Sequence, residues 1–355
     1  MLSEVVFFCV GIPGLEPRIT GPESVVLPIT PYPNFYFSAI LTSAPCSELR
    51  CKGSGFLDTS KRILSFFSCR RYFSLVWAGN DKGNAYICTS NWDEMRDMDK
   101  LIFISNDDGV FANGVNQLAE MAREFGDVFV VAPDQGRSGA GMSITSQSPV
   151  RNTLVGHEEG KNGKGSLTVW QCSGTPNDCA KMGFEVLLPR KPDLVLGGIN
   201  HGDNCAVNAH YSGTMSIVLE GAIKDVPSVA FSSGRTEKAA DFGYMKEYVR
   251  KIVKAVLEQG LPHNVCLNVN IPDVENLKGI RVCKMGLGDW HDEWIEREHP
   301  HGGKYYWIGG YYAPFDKEDT ESDSWAFENG YVAVTPIRLD LTAYSEMALI
   351  DQMLG

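Results

Sequence analysis

Leu101-Ile102-Phe103-Ile104-Ser105-Asn106-Asp107-Asp108-Gly109 is the stretch on which the fold turns. Residues 101–105 form a short apolar run, which reads as a parallel strand buried on both faces. Adjacent acids at the end of such a strand are costly unless something positive faces them. Hard divalent cations take carboxylate oxygens and meet that need. A solvated turn with Asp and Gly in ordinary turn positions is the plainer alternative.

Downstream the chain keeps alternating. In 115–125 the apolar positions 115, 118, 119, 121, 122 and 125 lie on one helical face. Residues 128–132 give a second buried strand, closed by Pro133-Asp134. Further strands are expected at 194–197, 228–232 and 265–269, with helices over 216–223 and 242–259 between them. Strands alternating with helices imply right-handed crossovers and an α/β fold: a Rossmann-like, doubly wound, mostly parallel sheet. Aromatic 303–310 and the strand pattern of 330–336 read as C-terminal β-hairpin or arm extensions.

The bulk numbers narrow the function. The 355 residues carry a net charge of −12, against a general binder of nucleic-acid backbone. No apolar run is long enough for a membrane helix. The charge is unevenly placed: residues 1–98 hold 9 basic and 9 acidic residues, whereas 99–355 hold 23 and 35. Residues 1–98 show no consistent period over a domain-sized length. They are expected to be a poorly ordered or non-native extension, with the natural start at Met95 or Met98 and the working domain at 99–355. The ten cysteines show no zinc spacing; Cys46 and Cys51 have no second close pair. Buried reduced thiols and a cytoplasmic location are the expectation.

In open α/β sheets ligands bind beyond the carboxyl ends of the strands. Three loops should meet there, carrying Asp107 and Asp108, the 136–141 glycine loop with Ser138, and Gly198-Ile199-Asn200. Two carboxylates, a hydroxyl and an amide carbonyl make an all-oxygen site suited to magnesium, manganese or calcium. The glycine loop fails as a dinucleotide fingerprint: Gly139 and Gly141 stand where the first two glycines would, but Ile144 occupies the third position. It is a backbone cradle for an anion or a flexible turn. Tyr211-Ser212-Gly213-Thr214 precedes a helix, which it caps or where it holds a phosphate. His201 and His210 flank a loop near Asn200 and are candidates to assist the site; for these and for the three histidines in a Trp- and Glu-rich insertion around 291–301, surface or structural roles are the favoured reading.

Several of these stretches together resemble one family, the survival protein SurE family of metal-dependent nucleoside monophosphate phosphatases. The matching segments are 105–109, 131–134 with Arg137-Ser138-Gly139, 173–176 with Asp178-Cys179, 198–200, 211–214 with Glu220-Gly221, and 330–336 with Asp340-Leu341-Thr342. The resemblance covers residues 101–355 and leaves out 1–98. It implies that Asp107, Asp108, Ser138 and Asn200 hold one divalent metal per subunit, magnesium or manganese. It implies that Asn106 adjoins the site, and that Gly139, Ser212, Gly213 and Thr214 line the phosphate pocket. It further implies hydrolysis of nucleoside 5′- and 3′-monophosphates with Asp107 and Asp108 as the catalytic pair, in a homodimer or homotetramer. A nucleotide sensor of the same fold, without chemistry, is the competing reading. Asn113 stands where the family often has proline, Asn177 where alanine is usual, and 206–210 departs from the usual glycine-containing loop. Those departures touch loop shape and substrate preference.

Overall fold

The computed structural model describes residues 100–237 and 240–355 in full and, before them, the backbone of six strands. These are β1 (Val5–Gly11), β2 (Val26–Tyr32), β3 (Phe35–Thr42), β4 (Ile63–Cys69), β5 (Tyr72–Ala78) and β6 (Ala85–Asn91). They pair as two antiparallel sheets, β1-β3-β2 and β4-β5-β6, within a unit that ends at Asp97. Met95, Met98 and the Cys46/Cys51 pair lie outside the described residues.

The second unit, Met98–Gly355, is built on β7 (Leu101–Ser105) and β8 (Asp127–Pro133). Strands β9 (Asn152–Glu158), β10 (Leu167–Cys172), β11 (Leu194–His201), β12 (Ser228–Ser233), β13 (Val265–Ile271) and β14 (Ile280–Val282) follow. After two hairpin pairs, β15 (Gly288–His291) with β18 (Tyr311–Pro314) and β16 (Trp294–Glu298) with β17 (Lys304–Ile308), the chain returns as β19 (Val332–Arg338). The sheet order is β14-β19-β13-β12-β11-β7-β8-β10-β9. The six strands from β13 to β10 run parallel; β9 and β19 are antiparallel to their inner neighbours.

Period-two alternation explains why β7 sits at the centre. Ile102 and Ile104 point into one apolar cluster, with Leu118 and Phe231; Leu101 and Phe103 point into the other, with Phe129 and Val131. Helices α1 (Asn113–Ala122) and α4 (Lys246–Gln259) cover the first face through Val115, Leu118, Val249 and Val253. Helices α2 (Pro176–Met182) and α3 (Gly213–Ile223) cover the second through Cys179, Ala180 and Ile217. Short α5 (Asp323–Glu328) and α6 (Met347–Leu354) complete the described helices. The doubly wound sheet and its hairpin extensions follow the expectation from sequence.

Boundaries shift by local hydrogen bonding. The helix expected over 115–125 starts at Asn113 and ends at Ala122, where the Phe125 amide turns back onto the Ala122 carbonyl at 2.9 Å. That three-residue closure tightens the last turn. Among the described residues no helix is long and apolar enough to cross a membrane. Cys172, Cys179, Cys205, Cys266 and Cys283 are free and buried, as expected of reduced thiols.

Candidate active site

Strand order places the site. From central β7 the chain moves to β8 and β10 on one side, then returns to start β11 on the other side of β7. The carboxyl ends of β7 and β11 therefore flank a topological switch point, where the crossovers diverge and leave a crevice. Asn106, Asp107 and Asp108 follow β7, and Asn200 lies near the end of β11.

Asp107 is buried at the bottom of this crevice, 3% exposed. The Thr214 hydroxyl, at the first turn of α3, donates to Asp107 Oδ1 at 2.7 Å. The Arg137 amide donates to the Asp107 carbonyl at 2.6 Å and ties down the glycine loop. Burial, and then the neighbouring Asp108 charge, push the Asp107 carboxyl up to about 6 despite the Thr214 bond. Gly213 permits this approach: a Cβ there would sit 2.7 Å from Asp107 Cβ.

Asp108 faces the other way. Its Oδ2 lies 2.7 Å from His201 Nδ1, and the His201 amide reaches the same oxygen at 3.4 Å. The imidazole edge packs on Phe242, with ring centroids 5.1 Å apart. The Asn200 side-chain N–H donates to the Gly202 carbonyl at 2.8 Å, which leaves the side-chain oxygen available to accept a hydrogen bond or ligate a cation. Asn106 is fully buried; its Nδ2 donates to the Gly109 carbonyl at 3.0 Å, and its Oδ1 has no partner. Ser138 and Gly139 sit on the exposed glycine loop, with Gly139 at φ +74°, a conformation that favours glycine.

Asp107, Ser138, Gly139, Asn200, His201 and Ser212 line one cavity of about 660 Å³. Ser212 caps α3 by accepting from the Met215 amide at 3.1 Å. The far wall comes from the insertion: Trp290, Glu293, Ile308, Gly309 and Gly310. The Trp290 indole N–H donates to Asn208 Oδ1 at 2.8 Å and pins that wall to the loop after β11.

Comparison with known proteins fits this layout. The family model "Survival protein SurE" matches residues 102–292. The chain belongs to the SurE family. It is 48% identical over 247 residues to the 5′-nucleotidase SurE of Phocaeicola vulgatus, an alignment spanning 70% of this chain and 94% of that protein. It is 47% identical over 255 residues to the 5′-nucleotidase SurE of Bacteroides thetaiotaomicron, covering 72% and 95%. The crystal structure of the SurE protein from Aquifex aeolicus superposes with a TM-score of 0.60 at 38% identity, covering 72% of this chain and all of that one.

Within this SurE fold the donor chemistry suits a hard cation. Two carboxylates lie side by side, and among the described residues neither is paired with a lysine or arginine; only His201 meets Asp108. The other oxygens beside them, from Asn200 and Ser138, are neutral, with Glu293 on the far wall, and among the described residues no three or more His, Cys, Asp or Glu cluster to hold a metal. Oxygen donors with two negative charges match magnesium or manganese better than zinc.

Three residues take parts that the sequence reading did not give them. Thr214 spends its hydroxyl on Asp107, so it orients a carboxylate where a phosphate contact was expected. His201, for which a surface or structural role was favoured over assistance at the site, meets Asp108 at 2.7 Å in the cavity wall. Its position immediately after Asn200 was the available signal. Trp290 lies roughly ninety residues beyond the nearest predicted ligand, and no local pattern links it to the crevice. His210, by contrast, stays exposed, as expected.

Proposed function

We propose that the chain is a divalent-metal-dependent 5′-nucleotidase, acting also on 3′-monophosphates, that hydrolyses its substrates to nucleoside and phosphate. The convergence of Asp107, Ser138 and Asn200 on one cavity, with Asp108 held beside them by His201, carries this reading. Asp107, Asp108, Ser138 and Asn200 would hold one magnesium or manganese per subunit. The ion would neutralise phosphate charge and make water a competent nucleophile near neutral pH.

The chain's own groups supply the rest. Thr214 keeps Asp107 in one rotamer, and His201 does the same for Asp108. The start of α3, capped by Ser212, directs its amides and its positive dipole end at the phosphate. Gly139, without a side chain, lets the glycine-loop backbone approach the equatorial oxygens. Water attacks phosphorus opposite the ester oxygen, the P–O bond breaks, and the nucleoside leaves with a proton. A cation held by Asp107 and Asp108 would occupy their carboxylate oxygens, which favours water over a direct aspartate attack.

The catalytic unit is residues 99–355, and every candidate ligand lies within it. A homodimer or homotetramer is supported by the exposed apolar hairpin β16–β17, with Trp294, Tyr306, Trp307 and Ile308, and by exposed Leu349, Met353 and Leu354 on α6. The free buried cysteines support a reducing cytoplasm. Phosphate release from a nucleoside monophosphate panel, before and after chelation and with manganese or magnesium restored, tests the reaction. Absence of turnover with every divalent ion would replace it with a nucleotide sensor. A chain started at Met95 should match the full chain in activity; loss of its cooperative unfolding would make residues 1–94 part of the fold.

A further inference from the structure

The far wall of the cavity holds none of the proposed metal or phosphate groups, and the cavity of about 660 Å³ is much larger than a phosphate group needs. Its two ends differ in chemistry. Oxygen and amide groups of Asp107, Ser138, Asn200 and Ser212 form one end, and Trp290, Ile308 and Gly309, with the Glu293 carboxylate beside them, form the other. A ligand that fills both is anionic at one end and flat at the other, with an uncharged edge that tolerates the Glu293 carboxylate. Trp290 is suited to the flat end: it is half-buried, and its indole N–H is already spent on Asn208 Oδ1 at 2.8 Å. A ring held by its edge pays its ordering cost before the ligand arrives.

We propose that Trp290, flanked by Ile308, is the platform on which the nucleobase of the substrate stacks. The proposal rests on the phosphomonoesterase reading above and adds a base subsite to it. Every nucleobase has a π-face, so stacking is tolerant of base identity. The platform therefore selects nucleotides over base-less sugar phosphates and discriminates little among bases.

The test compares kcat/KM for AMP, UMP and ribose 5-phosphate in the wild-type chain, Trp290→Phe and Trp290→Ala. The wild type should prefer either nucleotide over ribose 5-phosphate by roughly 5- to 150-fold, the range expected for one base–aromatic stack. Trp290→Ala should bring that ratio close to one, mainly through KM. Trp290→Phe should keep most of the preference, although it loses the bond to Asn208. The platform is overturned if Trp290→Ala keeps the wild-type ratio. It is equally overturned if Trp290→Phe loses as much as Trp290→Ala, which would assign the effect to the Asn208 bond. A wild type that hydrolyses nucleotides and ribose 5-phosphate equally well also overturns the platform, but leaves the reaction standing. A wild type that hydrolyses neither overturns the reaction itself.

Discussion

The floor and the far wall of the cavity come from different kinds of structure. Asp107, Asn200 and Ser212 sit at the ends of β7 and β11 and at the start of α3, buried between two apolar clusters. Trp290 and Ile308 come from hairpins outside the nine-stranded sheet, and Ile308 is 72% exposed. A group fixed by a packed sheet can be held to the tolerance that electrostatic catalysis needs. A group on a hairpin can vary with little cost to the core. On the proposed assignment, reaction and substrate choice are carried by separable parts of the chain. Floor substitutions should then damage every substrate alike, and wall substitutions only some.

The largest expected effect is at the carboxylate pair. Asp107→Asn or Asp108→Asn should each lower kcat/KM by about a hundredfold or more, the scale seen when one key electrostatic group is removed. The loss should be the same for nucleotides and for ribose 5-phosphate. Thermal stability without metal should hold or rise, since burial and the Asp108 charge already oppose ionisation of Asp107. Selective loss on nucleotides alone would move the pair from floor to wall.

Asn200→Ala and Ser138→Ala should raise the manganese concentration for half-maximal activity by roughly tenfold. Excess metal should rescue both in part. Asn200→Asp adds a third charge, so it should bind manganese more tightly and phosphate more weakly. Unchanged metal titration in all three variants would separate β11 from the floor.

Two glycines sharpen the contrast in stability. An alanine Cβ at Gly213 would lie 2.7 Å from Asp107 Cβ and 2.9 Å from Pro176 Cγ, both in packed surroundings. Gly213→Ala should cost about 1–3 kcal/mol by denaturant unfolding. At Gly309 the nearest atom is Ile295 Cδ1 at 2.7 Å, the free end of a flexible side chain on the exposed hairpin. Gly309→Ala should cost less than about 0.5 kcal/mol. Equal costs would mean that floor and wall are equally constrained.

What the sequence disclosed follows the same division. The apolar run into Asn106-Asp107-Asp108-Gly109 encoded strand, turn and charge in nine consecutive residues, so the floor was legible. The buried apolar runs at 194–196 in β11 and 229–231 in β12 were legible for the same reason. Strand β9 was not: its residues are nearly all exposed, so neither face carries a periodic apolar signal. Helix α2 is only seven residues long and rests on the Thr175 capping box with Asp178, too short to show a 3.6-residue period. The Trp290–Asn208 bond spans 82 positions, and such pairing is set by topology and carries no local spacing.

A pH-dependent effect is expected at Asp178, whose carboxylate ties Thr145 to the start of α2. Burial raises its carboxyl, but the Thr145 hydroxyl and amide and the Thr175 amide outweigh it and hold the group below its ordinary value of 3.8. A carboxylate depressed in the fold stabilises above its unfolded pKa, and that contribution is lost as pH falls through the folded value. Asp178→Asn should therefore cost about 1 kcal/mol at neutral pH, by weakening the charge-assisted bonds from Thr145 and the Thr175 amide. Its melting temperature should converge on that of the wild type as pH drops below 3.8. A constant gap down to lower pH would remove the charge of Asp178 from the account.

The central claim is that the acids after β7 work by holding a divalent cation against a phosphate monoester. Its most direct measurement is phosphate release from AMP by the chelator-stripped full-length chain as manganese is titrated back. The account predicts no turnover without metal, a saturable rise in the wild type, and a flat response in Asp107→Asn over the same range. Full turnover by the stripped wild-type chain, or a wild-type metal response in Asp107→Asn, would contradict it.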